Sequence, residues 1–449
     1  MGDAELRAVD FQAFRAGFSS HPEFQLAQNA ITSAGLDQVA LNRSLVHSSG
    51  HTFSTLLDDW EVTNQKQSGR CWIFAGLNLL RVPAMKKMGL QEFEFSQSFV
   101  MFWDKLERAN YVLEAFIATC DRDLDDRTVA YLLDSLADDG GQWNMFVGLV
   151  RKHGLVPKEA MPETQSSSHT KRMNQTLRTL LRRGAETVRS AARNDVDEAR
   201  RRKREVLDVV YRVLCIHLGT PPERFVWQWA DRDRNFHRDG ILTPAEFASR
   251  YVELPIDDYV CLVNDPRESS PLGRTFTVEY LGNVVGAPPV RYLNIESSLM
   301  KTIAAAALQA GEPVWFGCDV DKMMSSELGI WDKDLYSLNE LYGTDLSLTK
   351  SERLLYHESA MTHAMLFTGV DLLDGVPRRW RVENSWGSDK GKKGFYSMND
   401  SWFDEFVFEI AARKQLLPES LQRALDLEPI ILPAWDPMGA LAGGARSDF

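Results

Sequence analysis

No apolar run in the chain approaches the ~18 residues that a membrane helix needs. Cysteine is scarce: Cys71, Cys120, Cys215, Cys261 and Cys318 are the only five in 449 residues, and no two form a C-x-x-C pair. Their odd number and wide spacing argue against a disulfide framework or a structural zinc site. Positive charge is also short. The net charge of −12 is the wrong sign for a protein built mainly to bind nucleic acid. The opening "MGDAELRAVDF" has acids where a signal peptide wants positive charge. It lacks the Ser or Thr at position 6 of a myristoylation signal. There is no internal repeat and no long low-complexity segment. The expectation is a soluble, cytoplasmic protein with reduced thiols, one of which is a candidate nucleophile.

What is present is ample for a large core: 44% of residues are apolar. The length suits roughly three domains or one elaborated one. The chain reads as five stretches. Residues 1–64 are an N-terminal segment packing on the core. Residues 65–160 are helical, with Ile73, Leu77, Leu80 and Ala84 at helical spacing after Cys71. Pro83 is expected to bend that helix or mark its end. Residues 161–255 read as a helical insertion. Residues 256–430 turn to strands, with candidates "YVCLVND", "FTVEYL", "VWFGCDV", "THAMLFTGVDL", "RRWRVEN" and "GFYSMN". Residues 431–449 form a C-terminal arm kept extended by Pro433 and Pro437. A helical half followed by a strand-rich half is an α+β pattern.

The insertion holds a local excess of positive charge. Residues 171–204 hold twelve Lys/Arg against four Asp/Glu. Leu177, Leu180, Leu181 and Val188 line one face, which leaves the basic residues outward. Such a face is either simply solvated or a contact surface for phosphates or partner subunits. Residues 235–246, "NFHRDGILTPAE", have Gly and Glu at the sixth and twelfth positions of a calcium loop. Asn235 at position 1, His237 at position 3 and Pro244 contradict that reading, and a turn before a helix at "TPAEF" is expected instead.

Chemistry gathers around "NQKQSGRCWIFAGLNLLR". Taken alone, Cys71 is a small buried residue. Placed at a helix start, it receives the partial positive charge that favours a thiolate. A nucleophile also needs a base, a group that orients the base, and donors for the oxyanion. His363 in "SAMTHAMLFTGV" offers a base on a strand. Asn384 in "RVENSWG" follows at the end of another, with Trp386 placed to cover their bond. Gln65 stands six residues before Cys71 as an oxyanion donor beside the Cys71 backbone N–H. The combination carries the signal, in the order Gln, Cys, His, Asn, and it argues against an inactive scaffold.

These motifs resemble the papain-like cysteine peptidases, and within them the bleomycin hydrolase and aminopeptidase C branch. "VCLVNDPR", "TVEYLGN", "VWFGCDV", "RVENSWG" and "EPIILPAWDPMGALA" are similar to that branch from about residue 50 to Ala442. The resemblance implies a papain-like core of two subdomains with a large helical insertion and an extended arm. It implies a nucleophile at Cys71, a base at His363, an orienting amide at Asn384 and an oxyanion donor at Gln65. It implies that Gly140 and Gly141 pair with substrate, and that Thr362 and Trp386 line the cleft. No metal or organic cofactor is implied. The implied activity is removal of N-terminal residues from short peptides with a free N-terminus, by a homohexamer with clefts facing an inner channel. Some members bind DNA, which makes the basic stretch a second expectation. The arm would lie in the cleft with Ala442 near its end. Seven residues follow Ala442, which departs from the branch's pattern and suggests self-trimming.

Overall fold

The computed structural model describes residues 5–57 and 60–443. The helix Cys71–Met88 is apolar on nearly every side, and Trp72, Ile73, Phe74, Leu77, Leu79 and Leu80 are all buried. A helix of that composition has to be enclosed. The helices Gln97–Ala118 and Trp143–His153 lie against it, and so does the strand His363–Leu373. Pro83 neither ends nor shortens this helix, which runs on to Met88 and stops at Gly89 in a left-handed conformation. Packing on all sides holds the turn that the missing proline N–H weakens.

The strand-rich half is a mixed sheet, open at both ends. Three of its strands place the site: Val314–Cys318, His363–Leu373 and Val376–Glu383, hydrogen-bonded side by side in antiparallel pairs. The first nine residues of the histidine strand are buried in succession. Burial of every residue in succession, with His363, Thr368 and Asp371 the polar exceptions, marks a strand covered on both faces. The register sets His363 opposite Cys318 and Leu366 opposite Glu383. Asn384, one residue past the end of its strand, therefore comes beside His363.

A central strand, Val407–Arg413, lies between Tyr259–Val263 and Val314–Cys318. It is missing from the strands expected from the sequence because it follows the helix Asp400–Phe406 with no turn residue between. It buries Glu409, whose Oε1 has no hydrogen-bond partner among the described residues. Burial pushes this carboxyl up to about 7. In the window between the ordinary carboxyl range and pH 7 the folded chain holds a proton that the unfolded chain has lost. That contribution is complete below about pH 4.5 and is lost as pH rises through 7, on the order of 3 kcal/mol. Glu409→Gln is expected to flatten this fall, read as urea midpoints at pH 5 and pH 8. An unchanged difference between those midpoints would contradict the assignment.

The insertion is helical in Gln165–Ser168, Lys171–Ala192 and Val196–Leu218 but also carries a β-hairpin, Phe225–Ala230 with Phe236–Leu242, before its last helix, Pro244–Tyr251. The alternation in "FVWQWA" turns Trp227 inward onto Phe247 and Tyr251. The calcium-loop resemblance falls on the hairpin's second strand. Glu246 there is a helix cap, accepting from Thr243 N at 2.8 Å while its own N–H donates to Thr243 Oγ1. Many of the basic side chains in residues 171–204 have intramolecular partners. Arg178 meets Asp138, Lys203 and Arg200 meet Glu114, Arg201 and Arg202 meet Glu198, and buried Arg189 donates to the Thr119 carbonyl. At the other end of the chain, Ala8–Ser19 and Pro22–Ala34 bury no residue and leave Val9, Phe11, Phe14 and Phe18 exposed. Further on the N-terminal segment joins the rest of the molecule: Ala40 is buried, Thr55–Leu56 pairs with the strand His363–Leu373, and Trp60 and Val62 lie in the core. Among the described residues no helix is long and apolar enough to cross a membrane.

Candidate active site

Cys71 opens its helix directly after Arg70, where backbone N–H groups lack intrahelical partners. The loop before it is pinned on both sides. Arg70 forks onto Glu163 at 2.7 and 2.9 Å and donates to Ser68 Oγ. Gly69 N donates to Asp139 Oδ2 at 3.1 Å. These bonds fix the direction of the helix start, and with it Sγ.

His363 is fully buried, and its Nε2 lies 2.9 Å from Asn384 Oδ1. An amide oxygen only accepts, so Nε2 carries the proton and Nδ1 is left as the basic nitrogen. Nδ1 has no hydrogen-bond partner among the described residues. Burial pushes the imidazole down to about 4, and the Asn384 bond only partly offsets this. With the cleft filled, the ring is therefore neutral. Trp386 packs over it with ring centroids 5.0 Å apart and shields the bond to Asn384.

Gln65 is buried just before the cysteine loop. Its Nε2 donates to Ser68 O at 2.6 Å, and its Oε1 accepts from Ser385 Oγ at 2.6 Å. The amide is thereby oriented, and the second hydrogen of Nε2 remains for an oxyanion. Ser385 N also donates to Asn384 Oδ1 at 2.7 Å. One serine thus holds both the amide that orients the base and the oxyanion donor, a role that "NSWG" does not disclose locally.

The C-terminal arm occupies the groove between these elements. Asp436 is gripped by Arg267 at 2.9 and 3.1 Å, and Arg127 lies 4.2 Å over the Trp435 ring. Ala442 and Gly141 then exchange both backbone bonds at 3.2 Å, as neighbouring antiparallel strands do. The Cys71 thiol donates to the Ala442 carbonyl at 3.3 Å. Gly443 N donates to Thr362 O at 3.1 Å. The cysteine wall and the histidine wall therefore meet on one peptide, Ala442–Gly443. Glycine is required where the arm touches: a Cβ on Gly140 would stand 2.9 Å from Leu441 Cβ, and one on Gly69 2.3 Å from Gly443 O.

The structure thus brings Gln65, Cys71, Gly140, Gly141, Thr362, His363, Asn384, Trp386 and Ala442 into one groove. Sequence reasoning missed Ser385 and Asp139. Asp139 accepts from Gly69 N, Thr170 and Asn174 and pairs with Lys105 at 2.6 Å. Burial alone would raise its carboxyl, but Lys105 and these donors hold it well below the usual range. Asp139 so ties the Gly-Gly turn to the cysteine loop and to the insertion. Its only sequence signal is an acid directly before two glycines.

A buried thiol at a helix start, an imidazole oriented by an amide, and an oriented glutamine on a helical wall facing a β wall define a papain-like cysteine peptidase. The Peptidase C1-like family matches residues 5–439, and the chain belongs to it. It is 43% identical to bleomycin hydrolase of Homo sapiens, over 98% of this chain and all of the human protein. It is 42% identical to aminopeptidase C of Lactobacillus delbrueckii subsp. lactis, over 98% of this chain and 99% of that one. A crystal structure of PepW from Lactobacillus rhamnosis HN001 superposes with a TM-score of 0.96 at 42% identity, over 98% of this chain and all of that one.

Proposed function

We propose that this cleft removes single residues from short peptides with a free N-terminus, and that the arm confers the exopeptidase limit. The protein is a cysteine-type aminopeptidase. The observation that carries the finer reading is the Ala442–Gly443 peptide, which lies in the groove as a substrate would. In a chain ending at Ala442, the α-ammonium of a substrate takes the place of Gly443 N. There it donates to Thr362 O and stands beside the Ala442 carboxylate. A fixed charge opposite the ammonium makes that bond strong and leaves no room for a longer N-terminal extension.

Cys71 attacks the carbonyl after the first residue, passing its proton to His363 Nδ1. His363 returns it to the leaving amine, and a thioester forms. Water then resolves the thioester with His363 as base. Gln65 Nε2 and the Cys71 N–H receive the oxyanion in both steps. This chemistry needs no metal or organic cofactor.

The arm of the full-length chain needs trimming first. Residues 444–449 lie outside the described residues. The Ala442 carbonyl is held by Gly141 N–H and the thiol, so it shifts toward Gln65 before it is cut. Fluorogenic aminoacyl amides with free and blocked N-termini, together with intact masses of the active enzyme and of Cys71→Ala, test this reading. The expected result is turnover of free amines only, with active enzyme ending near Ala442 and the variant full length. Equal turnover of blocked substrates would overturn the aminopeptidase limit. Identical full-length masses with full activity would overturn the trimming.

The assembly proposed is a homohexamer, which gives the exposed Val9, Phe11, Phe14 and Phe18 a surface to cover. A cytoplasmic setting suits a chain with no disulfide among its described residues.

A further inference from the structure

The residue after the Gly-Gly turn, Gln142, and Tyr292 from the opposite half of the molecule are both buried, and neither takes part in the chemistry above. Gln142 Nε2 donates to the Ala440 carbonyl at 2.7 Å and reaches the Met438 carbonyl at 3.5 Å. Gln142 Oε1 accepts from the Tyr292 hydroxyl, which lies 3.1 Å from the same Met438 carbonyl. We propose that Gln142 and Tyr292 are a register clamp on the C-terminal arm, setting where the arm stops in the cleft. They thereby set how many residues the enzyme removes at a time. The inference rests on the aminopeptidase reading above.

Donors and acceptors fix the register. The phenol fixes which way the Gln142 amide faces, because a hydroxyl hydrogen on Oε1 leaves Nε2 to meet the arm. Nε2 can only donate, so it accepts only a carbonyl of the arm as partner. Ala440 and Ala442 are two residues apart on an extended stretch, and their carbonyls are bound by neighbouring residues, Gln142 and Gly141. Carbonyls alternate in direction along an extended chain. A slip of one residue would turn an N–H toward Nε2 and leave two buried donors facing each other, which is costly. A slip of two would move the arm's end by about 6.7 Å and pull Asp436 from Arg267. Register is therefore restricted to one setting, in which Ala442 stops opposite Gly141. Among the described residues, Gln142 and Tyr292 bond the arm through its main-chain carbonyls, so they fix its position whatever side chains it carries. They act through the arm and not on the reacting atoms, so they are positioning residues.

Gln142→Met keeps the length and removes the amide, while Tyr292→Phe removes one oxygen. Each is tested by digesting a ten-residue peptide and following the products by mass, and by the kinetics of free and N-blocked substrates. In both variants the ratio of blocked to free turnover is expected to rise about tenfold, the effect of losing one buried hydrogen bond. Di- and tripeptides should appear among the first products, and the loss on free aminoacyl amides should fall in KM more than in kcat. Wild-type enzyme that already cleaves blocked substrates as fast as free ones would overturn the aminopeptidase reading instead. If wild type discriminates and the folded variants release only single residues with an unchanged ratio, the clamp is overturned. Should Gln142→Met fail to fold, Tyr292→Phe decides by the same two readouts.

Discussion

Cys71→Ala and His363→Ala are each expected to lower kcat/KM for aminoacyl amides by the same large factor, on the order of 10⁶, and the double variant no further. The reason is that the thiol and the imidazole work as one unit: neither the proton transfer nor the attack survives without the other. The Cys71 thiol touches the Ala442 carbonyl while Thr362, next to His363, accepts from the following N–H. The two walls therefore converge on adjacent atoms of a single peptide. His363 is also ready for the role, with Nε2 committed to Asn384 and Nδ1 without a hydrogen-bond partner among the described residues. Steady-state kinetics of the two single variants and the double variant check the claim. If the losses multiply, the residues act separately and the thioester mechanism fails.

Glu383→Ala is expected to destabilise the fold by about 3–5 kcal/mol, the usual effect of removing one partner of a buried ion pair. Glu383 is fully buried and accepts from Arg81 and Asn78 at 2.8 Å and from Trp60 at 2.7 Å. Arg81 and Asn78 belong to the cysteine helix, whereas Glu383 ends the strand that presents Asn384. One carboxylate so joins the nucleophile's helix to the base's strand across the two halves of the molecule. Burial raises its carboxyl, and Arg81 and Trp60 oppose that rise. Without it, the Arg81 guanidinium stays buried and loses its counter-charge. Urea unfolding measures the loss. Arg81→Met combined with Glu383→Leu should recover much of it, since apolar replacement of a whole buried pair is often neutral. A loss below about 1 kcal/mol for Glu383→Ala would show that the pair does not join the halves.

Much of the site was legible because its signals are local. Cys71 at a helix start, His363 within an apolar strand run, and Asn384 at a strand end each follow from their own neighbours in sequence. The prolines announced an extended arm, whereas the main-chain pairing at Gly140 and Gly141 came only from the family resemblance. What stayed hidden depends on partners far along the chain. Ser385 binds Gln65 across 320 residues, and Arg81 binds Glu383 across 302. Nothing in the periodicity of either segment names the other. Gln142 looks like an ordinary polar residue until the arm lies over it. The hairpin at Phe225–Ala230 and the strand Val407–Arg413 were missed for a different reason. The first has a short alternation inside an otherwise helical stretch, and the second follows a helix without punctuation.

The arm in the cleft is covalently tethered to the enzyme it fills. A tethered occupant competes at an effective concentration of about a millimolar or more, independent of how much enzyme is present. If the uncut arm blocks the cleft, dilution does not awaken the chain. If each molecule cuts its own arm, newly made enzyme passes through a latent interval whose duration is the same in dilute and concentrated samples.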